Sequence, residues 1–255
     1  MASISPLLDR LRLLTEESGR LAQRTRGESL VRELKSDVSI VTNADRAVET
    51  FLREELPRLV PGSAVWGEEF GFEEEGAGGL WVVDPVDGTS NFAFGSPLWG
   101  VSIGLVSGDD ILLGAIALPD LGEVYVAEKG QGALVNGEAL SPIPPGAVRP
   151  EELVSHCDGL IRRFPTARIP GKMRCAGAFV IDGTFTARQR YRGLIGHKEK
   201  LYDIAASVLI GQELGADIRY ADGEPMRISE IAKDEQITRP WLMFPRDSGF
   251  FLRSE

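Results

Sequence analysis

Asp84 and Asp87 stand three residues apart at the end of an apolar run, in LWVVDPVDGTSNF (residues 80–92). LWVV is too apolar for a surface strand, so Asp84 is expected where a buried strand emerges. Pro85 fixes its own φ and pushes Asp84 toward an extended conformation. Asp87-Gly88 then permits a tight turn, after which Thr89 or Ser90 begins a helix. That order puts the Asp84 carboxylate, the Val86 carbonyl and the Asp87 carboxylate on one side of a rigid turn, beside backbone N–H groups. Oxygen ligands so arranged suit a hard cation such as Mg²⁺, and N–H groups at a helix start suit a phosphate. The two needs coincide in metal-assisted phosphate chemistry. PVDG alone is an ordinary β-turn, but two other acidic positions add to it. Glu68 and Glu69 follow a short apolar run in VWGEEF, and Asp203 opens a strongly apolar helix in LYDIAAS. Asp203 taken singly reads as a cap or dipole partner. Together, carboxylates from separate elements supply what a multi-metal site needs.

Composition sets limits on the partners. The chain of 255 residues carries a formal net charge of −10, with an isoelectric point near 4.9 and no Lys/Arg-rich block. Direct nucleic-acid binding needs a basic face and is not expected, so an anionic substrate would need its positive charge from metal ions. The two cysteines, Cys157 and Cys175, read as reduced thiols, and no CxxC or HExxH spacing accompanies them or the two histidines, His156 and His197. Any metal must be held by oxygen. No apolar run reaches the ~20 residues of a membrane helix, and the N-terminus lacks the pattern of a secretory signal; the expected location is cytoplasmic.

The elements that position these groups follow from periodicity. Residues 5–25 place Leu7, Leu8, Leu11, Leu14, Leu21 and Ala22 on one helical face. A second amphipathic helix, 43–56, is expected to start at Asn43, to turn Val48, Phe51, Leu52 and Leu56 inward, and to stop at Pro57. KSDVSIVTNAD between the two reads as a short extended link. From residue 80 the period becomes that of strands, with Asn136-Gly137 marking a hairpin. The Pro-rich stretch 141–150 suggests a boundary between an N-terminal α+β lobe, 1–140, and a C-terminal α/β lobe, 141–255. The second lobe holds a strand at 153–157, a mixed segment at 175–187 and a helix at 203–215. This order predicts an α/β, layered α+β sandwich in two lobes.

The motifs are similar to those of the inositol monophosphatase family of Mg²⁺-dependent, typically lithium-sensitive phosphatases. They appear in order: Lys35, Thr42 and Asp45; GEE at 67–69; DPVDGTSNF at 84–92; VSIGLV at 101–106; GQGALVNG at 130–137; and YDIAAS at 202–207. The resemblance implies an αβαβα arrangement and a metal-ligand set of Glu68, Asp84, the Val86 carbonyl, Asp87 and Asp203 for two or three Mg²⁺ ions. It makes Thr89 and Asp45 the pair that orients the attacking water, with Glu68 as a further catalytic carboxylate. The N–H groups of Gly88 and Thr89, with Ser90, match the phosphate cradle. The implied reaction is direct hydrolysis of a small phosphomonoester, without a phosphoenzyme, by a homodimer.

Three positions depart from the family pattern: Tyr202 replaces the usual Trp, Ala178 a usual Ser or Thr, and Gly196 the glutamate with which inositol-preferring members bind the sugar. Inositol 1-phosphate or a similar polyol phosphate is the leading substrate expectation. Fructose 1,6-bisphosphate, 3′-phosphoadenosine 5′-phosphate and histidinol phosphate are alternatives, and a regulatory protein-binding role is an alternative of another class. Arg190, Arg192, His197, Lys198 and Lys200 read as a solvated basic face or as a second-phosphate site. Arg174 would serve that site too, or pair with a carboxylate.

Overall fold

A computed structural model of the chain describes residues 4–35, 39–72, 74–156, 160 and 169–250. Helix α1 (Pro6–Ser29) begins where Ser5 Oγ accepts the N–H of Leu8 and Pro6 supplies a helical φ. It runs about a turn past the expected end and buries Leu8, Leu11 and Ala22. Strands β1 (Arg32–Leu34) and β2 (Ile40–Thr42) form a small antiparallel pair. Helix α2 (Asn43–Leu59) follows, with Thr42 rather than Asn43 as its cap. Thr42 Oγ1 accepts the Ala44 N–H at 3.2 Å, and the Asp45 side chain accepts the Thr42 N–H at 2.8 Å. This reciprocal capping box outcompetes a lone Asn. Asn43 bonds instead to the Val31 N–H and the Ser29 carbonyl, anchoring the end of α1.

Pro57 does not stop α2, which continues to Leu59. Leu56 and Leu59 are both buried, so packing holds the last turn despite the N–H that proline lacks. Val48, Leu52 and Leu56 are buried as expected, while Phe51 is half-buried.

The first large sheet has seven strands in sequence order: β3 (Ala64–Gly67), β4 (Leu80–Asp87), β5 (Gly100–Ser107), β6 (Asp110–Leu118), β7 (Glu123–Glu128), β8 (Ala133–Val135) and β9 (Glu138–Ala139). Only the β3–β4 pairing is parallel. Asn136 and Gly137, at φ 49° and 81°, make the β8–β9 turn that the sequence marks as a hairpin. Helices α1 and α2 cover one face of this sheet.

On the other face lie α4 (Phe179–Ala187) and α5 (Leu201–Glu213), and beyond them the five-stranded sheet. Its order is β11 (Lys172–Arg174), β10 (Leu153–His156), β12 (Gly193–Gly196), β14 (Trp241–Pro245), β13 (Ala216–Tyr220). Two shorter α-helices are α3 (Thr89–Ala93) after β4 and α6 (Ile228–Ile231) before β14, and a 3-10 turn spans Pro119–Leu121. The described layers therefore run α, β, α, β; the fifth layer of the expected αβαβα order is not among the described residues.

Helix α5 is buried from Ile204 to Gly211, which is why that stretch is apolar on nearly every side. It packs on β4, β5, β6 and β7 in one direction and on β13 in the other. The close approach depends on glycine. A Cβ added at Gly104 would lie 2.8 Å from the Ala205 Cβ, and one at Gly114 would lie 3.1 Å from the Ala206 Cα. The helix starts at Leu201, two residues before the expected Asp203, so Asp203 is in its first turn, with Oδ2 accepting the Lys200 N–H at 2.7 Å.

Candidate active site

The end of β4 is shaped by three local features. The register against β5 shifts between Asp84 and Asp87, so Pro85 and Val86 bulge from the ladder. Asp84 Oδ1 accepts the Val86 N–H at 3.0 Å, which folds the bulge back on itself. Gly88 then takes φ +83°, and a side chain there would drive its Cβ to 2.7 Å from the Ala178 Cβ. Helix α3 follows at once, and the Phe92 N–H returns to the Gly88 carbonyl at 2.9 Å. The sequence expectation of a buried strand, a tight turn and a helix start at Thr89 is met.

A cleft of about 370 Å³ opens at this point, lined by Glu68, Asp84, Val86, Asp87, Gly88, Thr89, Ser90 and Asp203. Asp84 comes from the strand end, Glu68 from the turn after β3 and Asp203 from the first turn of α5. Burial pushes the Asp84 carboxyl well above the usual range, and the charges of Glu68, Asp87 and Asp203 push it further. Asp203 is raised in the same way, by burial and then by Asp87 and Glu68. Burial also lifts Asp87 to about 7, against the Val180 N–H that bonds its Oδ2. Four acids that repel one another, gathered from three elements around the end of a buried strand, could serve as oxygen donors to a hard cation. Among the described residues, no three Asp, Glu, His or Cys side chains are grouped so as to hold an ion as they stand.

Beside these acids, Thr89 Oγ1 lies 2.9 Å from the Val86 carbonyl and 3.2 Å from Asp45 Oδ1. The other Asp45 oxygen is held by the Thr42 N–H at 2.8 Å and the Thr42 hydroxyl at 2.5 Å. Burial raises Asp45 to about 6. Lys35 spans Glu68 at 2.9 Å and Glu69 at 2.6 Å. Burial alone would lower its ammonium, but the two glutamates outweigh that and hold it up. Thus the Lys35–Thr42–Asp45 pattern, Glu68 and the strand-end motif do come together in space.

The opposite wall differs from the expectation. It is made by His156, Cys175, Gly177, Ala178, Phe179, Asp182, His197, Lys198 and Glu199. Arg174 does not line the cleft: it is exposed, and its guanidinium donates to the Met173 carbonyl at 2.8 Å. Gly196 does not line it either. It sits buried in β12, where an added Cβ would stand 2.2 Å from Trp241 Nε1. The basic run is dispersed. Arg190 pairs with Glu123, Arg192 bonds Gln189 Oε1 at 2.9 Å, and Lys200 reaches Asp234 at 2.5 Å. Of that run only His197 and Lys198 face the cleft. Cys157 lies outside the described residues.

Sequence reasoning missed Glu199 and Asp182. Glu199 was masked by the lysines on either side of it, and the signal available was a lone acid four residues before Asp203. A roomier groove, about 630 Å³, lies between α1 and the β6–β9 side of the first sheet. It carries none of the carboxylate or phosphate-turn residues, only Leu134, Asn136 and Gly137 of the GQGALVNG stretch, and charges pair along α1, Arg12 with Asp9 and Arg20 with Glu16.

A two-sheet sandwich with interleaved helices, whose acids gather near a bulged strand end beside a tight glycine turn, is an arrangement that suits metal-assisted phosphate chemistry. A sequence model of the inositol monophosphatase family matches residues 5–243, and the chain belongs to that family. The chain is 31% identical over 227 residues to a fructose-1,6-bisphosphatase/inositol-1-monophosphatase of Aquifex aeolicus, covering 83% of each. A histidinol-phosphatase of Chlorobaculum parvum is 40% identical over 136 residues, 53% of this chain and 51% of that one. Among solved structures, an IMPase of Thermotoga maritima superposes with a TM-score of 0.80 at 25% identity, covering 95% of this chain and 92% of that one. The family is one of phosphatases and is generally Mg²⁺-dependent. No helix among the described residues is long and apolar enough to cross a membrane.

Proposed function

We propose that the chain is a Mg²⁺-dependent phosphomonoesterase that hydrolyses the monophosphate ester of a small alcohol, inositol 1-phosphate or a similar polyol phosphate, by activating water. The observation that carries this reading is the gathering of Glu68, Asp84, Asp87 and Asp203 around one cleft beside the Gly88–Thr89 turn. The donor set is oxygen only and strongly self-repelling, which fits Mg²⁺. Glu68, Asp84, the Val86 carbonyl, Asp87 and Asp203 would hold two or three ions. Mg²⁺ held there would supply positive charge against the phosphoryl oxygens and would acidify a neighbouring water toward neutral pH. Asp45 and Thr89 orient that water and accept its proton, with Glu68 at the edge of the same space. The N–H groups of Gly88 and Thr89 and the Ser90 hydroxyl cradle the phosphate.

A monophosphate is favoured over a bisphosphate because the only lysine or arginine among the described lining residues is Lys198. Phosphate release should be measured with Mg²⁺ and with chelator across inositol 1-phosphate, glycerol phosphates, histidinol phosphate and fructose 1,6-bisphosphate. Turnover of a monoester that chelator abolishes supports the reading. Turnover that persists in chelator, or that needs a second phosphate, defeats it.

A further inference from the structure

Glu68 reaches the cleft from a loop, residues 67–71, that is closed at its base. The Gly67 N–H donates to the Gly71 carbonyl at 3.3 Å, and the Gly71 N–H returns to the Gly67 carbonyl at 3.2 Å. Gly71 takes φ +90° to make that closure. On one side the Glu68 N–H donates to the Val83 carbonyl of β4 at 3.2 Å. On the other, two consecutive N–H groups meet one carboxylate. The Glu69 N–H donates to Glu49 Oε2 at 2.7 Å, and the Phe70 N–H to Glu49 Oε1 at 3.1 Å. Successive backbone N–H groups make a concavity that binds anions. Here the anion is a side chain of α2.

Glu49 is fully buried, so its charge has to be answered within the protein. Arg53, one turn further along α2, donates Nε to Glu49 Oε1 at 3.0 Å and Nη2 to the Gly71 carbonyl at 2.9 Å. One guanidinium thus ties the carboxylate to the closing residue of the loop. Room for the carboxylate comes from Gly67, where an added Cβ would stand 2.1 Å from Glu49 Oε1. Neither Glu49 nor Arg53 is among the described residues that line the cleft. A buried carboxylate only accepts hydrogen bonds, so it fixes where its N–H donors sit. Two of those donors belong to the backbone that follows Glu68.

We infer that Glu49 is a positioning residue for the metal site: it holds the 67–71 loop so that the Glu68 carboxylate meets the other acids, and it touches neither ion nor substrate. This inference rests on the phosphatase reading above. Lys35 cannot set Glu68 alone, because its ammonium bonds the same carboxylate, at 2.9 Å, that an ion would use. The backbone beneath Glu68 has to be fixed from elsewhere. Glutamine at 49 keeps the shape but loses the charge, and it turns one acceptor oxygen into an NH₂ that faces an N–H donor. Removing a hydrogen-bonded support behind a metal ligand costs about 10–100-fold in metal affinity or activity.

The test is a Mg²⁺ titration of phosphate release at saturating ester, on the unaltered protein and on Glu49→Gln. The half-saturating Mg²⁺ concentration should rise about 10–100-fold, while kcat at saturating Mg²⁺ and KM for the ester move by less than about threefold. Mn²⁺ added without ester, with the free ion counted by electron paramagnetic resonance, should bind more weakly by a similar factor. Such midpoints do not depend on the fraction that is folded. Leu11→Ala, which truncates a buried side chain of α1, controls for lost stability: it should lower Tm and leave both midpoints in place. Arg53→Lys keeps a charge beside Glu49 but loses the fork that also reaches Gly71, and should raise the Mg²⁺ midpoint several-fold. Unchanged midpoints in Glu49→Gln, or an equal shift in Leu11→Ala, overturn the inference and leave the phosphatase reading intact. If Glu49→Gln does not fold, an unchanged midpoint in Arg53→Lys overturns it. An unaltered protein that binds no Mn²⁺ and releases phosphate from no ester of the earlier panel overturns both.

Discussion

Thr89→Ala and Asp45→Asn should each lower kcat by about 10²–10⁴-fold, and together by little more than the larger single effect. The Thr89 hydroxyl carries one hydrogen and stands between the Val86 carbonyl at 2.9 Å and Asp45 Oδ1 at 3.2 Å. A proton drawn from water onto this hydroxyl can move on only if the hydroxyl's own hydrogen passes to Asp45. Thr42 fixes the other Asp45 oxygen through two bonds, so the carboxylate cannot swing to take the proton directly. Breaking either link stops the same relay. If each substitution costs 10³-fold, about 4.1 kcal/mol, independent action would predict about 8.2 kcal/mol for the pair. The relay predicts about 4.1, a coupling of equal size. Steady-state phosphate release from the preferred ester, at saturating Mg²⁺, gives kcat and KM for the four proteins, and KM should move by less than about threefold. Burial raises Asp45 to about 6, so its proton-accepting form is lost as pH falls through that value. Bound Mg²⁺ would pull that value down, so the unaltered protein should lose kcat/KM on an acid limb lying below about pH 6, and Asp45→Asn should show no such limb. Additive losses, or losses confined to KM, would refute the relay.

Without metal, stability should fall as pH rises from about 4 to about 7. Buried Asp87 keeps its proton up to about 7, while an unfolded aspartate loses it near 3.8, so the folded state binds more protons across that window. Thermal melts in chelator should show this slope, saturating Mg²⁺ should flatten it, and a rise with pH would contradict the burial argument. Mg²⁺ at about 100 times its dissociation constant should stabilise the protein by about 2.7 kcal/mol; most of that gain should vanish in Asp87→Asn, read as the Mg²⁺-induced shift in Tm. Gly196→Ala should destabilise the fold by about 1–3 kcal/mol, read as the urea midpoint, because the new Cβ meets the Trp241 indole. An unchanged midpoint would mean that the ring has other room.

The strand-end acids were legible because their geometry is local: Pro85, Gly88 and the bulge between Asp84 and Asp87 are all within the motif that names them. Helix ends were read less well. Thr42 won the cap over Asn43 through Asp45, a reciprocal pair rather than a single preference. Leu59 carried α2 past Pro57 through burial that no propensity contains. The far wall of the cleft was less legible for another reason. Glu199 is set by Trp241, 42 residues away on a different strand, and a linear count back from Asp203 cannot say that Gly196 faces that ring instead of the cleft.

The seam between α5 and the first sheet acts as a gauge block for the site. Asp84 rides on the sheet and Asp203 on the first turn of the helix, so the spacing between those two layers sets how far apart the two acids stand. That close spacing requires the missing side chains of Gly104, against Ala205, and of Gly114, against Ala206. One methyl added at either glycine would act as a shim, lifting the helix and widening the gap that an ion has to bridge while leaving every polar group of the cleft in its own sequence position. Ion affinity at such a site would then depend on residues that carry no chemistry at all, deep in the core and out of contact with substrate.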